Sequence, residues 1–222
     1  MRPEEADVAD HIALLGDSIF DNAAYTNGLP DVVTHVRRIV PAETTATLLA
    51  ADGSTTSDVL EKQLPRLPAG VTHAAVSMGG NDAILQADAL DLPVSSTREA
   101  LAMFGERAAT FEASYRRTLS EIVHRVPHVA VCTIYDANLP GDDAALTRVG
   151  LMMFNDVILR AAFERRLPVI DLRLIVVDAS DYANELEPSS QGAEKIATAV
   201  SSALGFVAGS VAGSRIFAAS QA

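Results

Sequence analysis

Five short apolar runs, at residues 12–15, 44–50, 71–78, 128–135 and 167–172, are separated by longer stretches whose apolar residues recur at helical spacing. This alternation limits the fold more than any other feature of the chain. Short aliphatic runs suit strands covered on both faces, and strands alternating with helices build a parallel sheet through right-handed crossovers. The expected architecture is α/β, a three-layer α/β/α sandwich on a five-stranded parallel sheet in the order 2-1-3-4-5. Helices are expected at 31–39, where Val32, Val33, Val36 and Ile39 share a face, and at 98–125, 143–166 and 190–204. A short helix is expected from Ser57 to Pro65. Residues 22–30, 86–97 and 136–143 read as loops, and 178–190 as an irregular polar stretch.

The chain of 222 residues fits one domain, 1–222, with its core in 11–204 and a loosely held tail, rich in Gly, Ala and Ser, from 205. A net charge of −12 leaves no basic patch for nucleic acid and disfavours an anionic membrane surface. The single Cys132 lies in an apolar run and reads as a core thiol. No run approaches the ~18 apolar residues of a membrane span, and the acidic first residues lack a signal peptide's apolar segment, so a cytoplasmic protein is expected. Oligomeric state has no signal.

Ligands bind such sheets beyond the carboxyl ends of the strands. Three residues suited to acyl transfer lie just past the first three strand ends. Ser18 follows Ile12–Leu15 and Gly16, at the expected start of a helix, where unpaired N–H groups favour an oxyanion. Gly53 follows the second run and has no side chain to block approach to its N–H. Asn81 follows the third and offers a side-chain amide.

Gly16-Asp17-Ser18, Asp52-Gly53-Ser-Thr-Thr56 and Gly79-Gly-Asn81-Asp82 resemble successive blocks of the SGNH or GDSL-type hydrolases, over about residues 11–204. The resemblance implies a flavodoxin-like α/β/α fold. It also implies Ser18 as nucleophile, an oxyanion hole from the Ser18 N–H, the Gly53 N–H and the Asn81 side chain, a supporting Asp17, and an ester or acylated substrate cleaved without a cofactor or metal.

The last block departs from that pattern. In Asn184-Glu-Leu-Glu187-Pro-Ser-Ser-Gln-Gly192, Glu187 stands where the family has its base His, and Asn184 where it has the Asp partner. His11, His73 and His128 precede strands, His124 ends a helix, and His35 lies within one, so none is an obvious substitute. In one reading Glu187 is a general base whose pKa is raised by burial, oriented by Asn184, with Asp178 or Asp181 as a third member. In the other the site is catalytically weak and binds an acyl or sugar group. A hard cation such as Mg²⁺, held by Asp17, Asp21, Asp82 and Glu187, is a further alternative. Specificity is expected to lie in loops 21–30, 83–97 and 136–143. The apolar cluster at 148–163 reads as helix-to-sheet packing with part free to line a pocket.

Overall fold

The computed structural model describes residues 9–208. Five parallel strands, β1 (His11–Gly16), β2 (Thr45–Leu48), β3 (His73–Ser77), β4 (His128–Cys132) and β5 (Val169–Ile170), form one sheet in the order β2-β1-β3-β4-β5. This is the expected 2-1-3-4-5 arrangement, with helices on both faces. Alternation along the strands assigns side chains to the layers. Ile12 and Leu14 pack with Val32, Val33 and Val36 of α1 (Val32–Ile39) and Ile196 and Val200 of α6 (Ser190–Ala203). Ala13 and Leu15 point the other way, to Tyr115 and Leu119 of α4 (Thr97–Arg125) and Val157 and Ile158 of α5 (Gly141–Glu164). Cys132 is a buried free thiol, as expected.

Local chemistry sets the element ends. Asp31 caps α1 by accepting from Thr34 N at 2.9 Å, and Pro41 follows its end. Ser96 caps α4 and Ser189 caps α6. Several expected bounds shift. The short helix α2 (Thr56–Asp58) is capped by Thr55 rather than Ser57, because Thr55 and Asp58 form a reciprocal capping box, and it continues as wider and tighter turns to Arg66. Asn81, just past the third strand, lies on a short helix, α3 (Gly80–Ile84). The stretch 86–97 contains a 3₁₀ turn at Ala87–Asp91. Ala179–Asp181 forms another within 178–190.

Residues 209–222 of the expected loose tail lie outside the described residues. Its first part is packed: the Phe206 ring lies 4.8 Å from that of His73. Among the described residues, no helix is long and apolar enough to cross a membrane.

Candidate active site

The carboxyl edge of the sheet is built on Gly16. Its φ is +136°, and a Cβ there would lie 1.7 Å from the Ser77 carbonyl oxygen. Only glycine lets β1 pass this close to β3 while taking that backbone angle. The chain then makes one turn rather than the expected helix: the Asp17 carbonyl accepts from Phe20 N and Asp21 N, each at 3.1 Å, and α1 begins only at Val32. Ser18 therefore caps no helix. It sits buried on an isolated turn, and its N–H donates to no acceptor among the described residues.

The turn at 51–54 is tied to that of Ser18 from two sides. Ala51 N donates to Gly16 O at 3.1 Å, and Asp52 N donates to Asp21 Oδ2 at 3.0 Å. Gly53 takes a φ of +75°, and its N–H likewise has no acceptor among the described residues. Asn81 Nδ2 donates one hydrogen to the Ser54 carbonyl at 3.0 Å, which orients the amide and leaves its second hydrogen free. The Asp82 carboxylate holds Thr56 N and Oγ1 at 2.9 and 3.0 Å, fixing α3 against α2.

Glu187 reaches the same place from the far end of the sequence. Burial raises the pKa of its carboxylate; the Ser18 hydroxyl lowers it in part and the charge of Asp52 adds to the rise, so the balance is a raised pKa. Oε2 is buried and has no hydrogen-bond partner among the described residues. The loop that carries Glu187 is held by its backbone. Asn184 Oδ1 accepts from Leu186 N and Glu187 N, both at 2.8 Å, and Glu187 O accepts from Ala183 N at 2.8 Å. Asn184 thus holds Glu187 through its backbone N–H, and among the described residues its side chain makes no hydrogen bond to the Glu187 carboxylate.

Asp17 is fully enclosed. Its Oδ1 accepts from Ile19 N at 3.2 Å and Ser77 Oγ at 3.3 Å. Burial raises its pKa to about 7 against these two bonds, and the charge of Glu187 adds to the rise. Asp178 and Asp181 are not third members of a triad, because both bind Lys195 Nζ at 2.8 Å and Asp181 Oδ2 also accepts from Val177 N and Asp178 N. Nor do Asp17, Asp21, Asp82 and Glu187 gather around one point. Asp82 is committed to Thr56 and Asp21 to Asp52 N, and no group of three or more His, Cys, Asp or Glu among the described residues is arranged to hold a metal ion. His11, His73 and His128 open their strands at the opposite edge, where the last two stack at 4.7 Å. His35 Nε2 lies 3.4 Å from Ser190 Oγ, on the α1–α6 side.

A cavity of about 280 Å³ opens beside Ser18, and Asn81 and Glu187 also line it. Its walls are mostly apolar, among them Ile84, Leu90, Phe104, Ile134, Leu146 and Phe154. Of the three loops expected to shape specificity, those at 83–97 and 136–143 line it. The loop at 21–30 does not. Leu151, Met153 and Phe154 show that part of the 148–163 cluster lines the pocket, while Val157 and Ile158 pack in the core.

Four residues that matter to this edge carried no recognisable signal. The buried Gln63 amide accepts from Gly16 N at 2.8 Å and donates to Gly16 O at 2.7 Å. Asn155 does the same for Ile134, at 2.8 Å in both directions. Asn22 accepts from Val32 N and donates to Pro188 O. The buried Tyr135 hydroxyl donates to the Leu186 carbonyl, one residue before Glu187. Each contact joins residues ten or more positions apart. Sequence spacing alone does not reveal such pairs.

The family described as GDSL-like lipase/acylhydrolase matches residues 14–195. No curated protein matches the chain. Solved structures share the fold. An extracellular lipase from Streptomyces rimosus superposes with a TM-score of 0.62 at 20% identity, covering 88% of this chain and 99% of that one. A phospholipase A1 from Streptomyces albidoflavus gives 0.62 at 19% identity, covering 87% and 99%. A catalytic mutant of an acetylxylan esterase from Geobacillus stearothermophilus gives 0.65 at 16% identity, covering 91% and 97%.

Proposed function

The chain belongs to the GDSL-like lipase/acylhydrolase family, and from that premise we propose that it is a serine ester hydrolase with Ser18 as nucleophile and Glu187 as general base. The observation that carries this reading is that Ser18, Asn81 and Glu187 line one cavity, where burial raises the pKa of the Glu187 carboxylate. An ordinary carboxylate accepts a serine proton poorly, since its conjugate acid has a pKa of about 4.3. Raising that value narrows the gap to the alcohol.

Ser18 Oγ attacks the ester carbonyl carbon as its proton passes to Glu187. The carbonyl π electrons move to oxygen, and the oxyanion accepts from the Ser18 N–H, the Gly53 N–H and the free hydrogen of Asn81 Nδ2. Collapse expels the alkoxide, which takes the proton back from Glu187. Water then attacks the acyl-enzyme, giving its proton to Glu187, and the second collapse returns a proton to Ser18. The products are a carboxylic acid and an alcohol.

A neutral glutamic acid, not an imidazolium, is the protonated base in this cycle. Negative charge moves from Glu187 to the oxyanion and no cation forms, so an Asp in place of Asn184 would have nothing to stabilise. The apolar cavity beside Ser18 suits an aliphatic acyl group. Proteins of the same fold are described as a lipase, a phospholipase and an acetylxylan esterase.

A fluorophosphonate probe tests the nucleophile. Mass spectrometry is expected to find one adduct, on Ser18, that is absent from Ser18→Ala. No adduct on the wild type, or an adduct that persists in Ser18→Ala, contradicts the assignment.

A further inference from the structure

We infer that Arg107 is a positioning residue that sets acyl-chain preference by clamping the segment 84–91 as the outer wall of the cavity. This rests on the ester-hydrolase reading above. The wall continues directly from the helix that carries Asn81: α3 leads into the 3₁₀ turn at Ala87–Asp91. Ile84, Gln86, Ala87 and Leu90 of this stretch line the cavity. Its near end is fixed by Asn81 on Ser54 and by Asp82 on Thr56.

Little burial holds the far end. Ile84, Leu85 and Leu90 are exposed, and Ala89 is the buried apolar residue of the 3₁₀ turn. Arg107, from α4, supplies the tie instead. Its guanidinium donates to Gln86 Oε1 at 2.6 Å, to the Gln86 carbonyl at 3.4 Å, and to Asp88 Oδ1 and Oδ2 at 2.8 and 3.0 Å. The carboxylate pairing is two-pronged, which fixes orientation as well as distance. One side chain therefore locks the wall while the oxyanion donor is fixed independently. Releasing it penalises a substrate according to how much acyl chain rests on that wall.

The test is the ratio of kcat/KM for p-nitrophenyl octanoate to that for the acetate. Arg107→Gln is expected to lower this ratio roughly tenfold, the loss of about two buried methylenes, and to do so through KM rather than kcat. Asp88→Ala removes both carboxylate acceptors of the clamp from an exposed position and is expected to lower the ratio in the same direction. Arg107→Lys keeps the charge without the fork and recovers only part of the ratio. An unchanged or increased ratio, or an equal fall for both esters, overturns the inference. If the wild type cleaves neither ester in a Ser18-dependent way, the hydrolase reading fails separately. The wall is then read by the shift of melting temperature with sodium octanoate. A rise that shrinks in Arg107→Gln supports it; equal shifts, or none, overturn it.

Discussion

The side-chain amide of Gln63 pairs with both backbone groups of Gly16, accepting from its N–H at 2.8 Å and donating to its carbonyl at 2.7 Å. Gln63 is fully buried, so it continues the hydrogen bonding of β1 at the point where the turn of Ser18 begins. Gln63→Leu leaves the Gly16 N–H without a partner inside the protein and its carbonyl with Ala51 N alone. The expected cost is about 2–4 kcal/mol, a fall in melting temperature of roughly 5–12 °C for a chain of this size. Thermal unfolding checks this; a fall below about 2 °C contradicts it.

Gly16 and Gly53 both take positive φ, yet their surroundings differ. A Cβ on Gly16 collides with the Ser77 backbone, whereas one on Gly53 meets nothing within 4 Å. Gly16→Ala is expected to yield no folded protein. Gly53→Ala is expected to fold with a loss of about 1–2 kcal/mol from backbone strain. Circular dichroism and denaturant titration of the two variants read the contrast, and equal stabilities refute it.

The strand positions and their order were legible because aliphatic runs buried on two faces have no polar face to blur them. The turn of Ser18 was not legible as a turn. A Ser after a strand resembles a helix cap, but the Asp17 carbonyl takes two N–H groups and α1 begins only at Val32. Glu187 could be aligned with the last block of the family because the frame around it, Pro188 to Gly192, is undisturbed. The role of Asn184 could not be read, since its choice of backbone N–H over the carboxylate depends on the loop's own geometry.

Asp17 makes stability depend on pH. Its folded-state pKa is about 7 against an ordinary value of 3.8. The folded chain therefore binds the extra proton between these values, and its stability falls as pH rises through about 7. The full effect is on the order of 4 kcal/mol for this buried group. Asp17→Asn removes that penalty, so the stability of the variant relative to the wild type is expected to increase from about pH 5 to about pH 8.5. Urea unfolding at the two pH values measures it. A difference that does not change with pH contradicts the account.

Tyr135 holds the Glu187 loop through the Leu186 carbonyl, and Asn184 holds it through two N–H groups. If Glu187 is the base as proposed, Tyr135→Phe is expected to lower kcat roughly tenfold, since small displacements of a base are costly, with little change in KM for a short ester. Steady-state kinetics on p-nitrophenyl acetate decide this. A variant with wild-type kcat shows that the loop keeps its place without the phenol.

In the proposed mechanism the Glu187 carboxylate takes the place of the family's imidazole base. The direct measurement is p-nitrophenyl acetate hydrolysis across about pH 4 to 9 by the wild type, Ser18→Ala and Glu187→Gln. The wild-type rate is expected to rise with pH through a midpoint above the ordinary carboxylate range, in keeping with the upward shift of Glu187. Both variants are expected to lose on the order of 10²-fold or more. A Glu187→Gln variant that keeps wild-type turnover and its pH midpoint contradicts the mechanism.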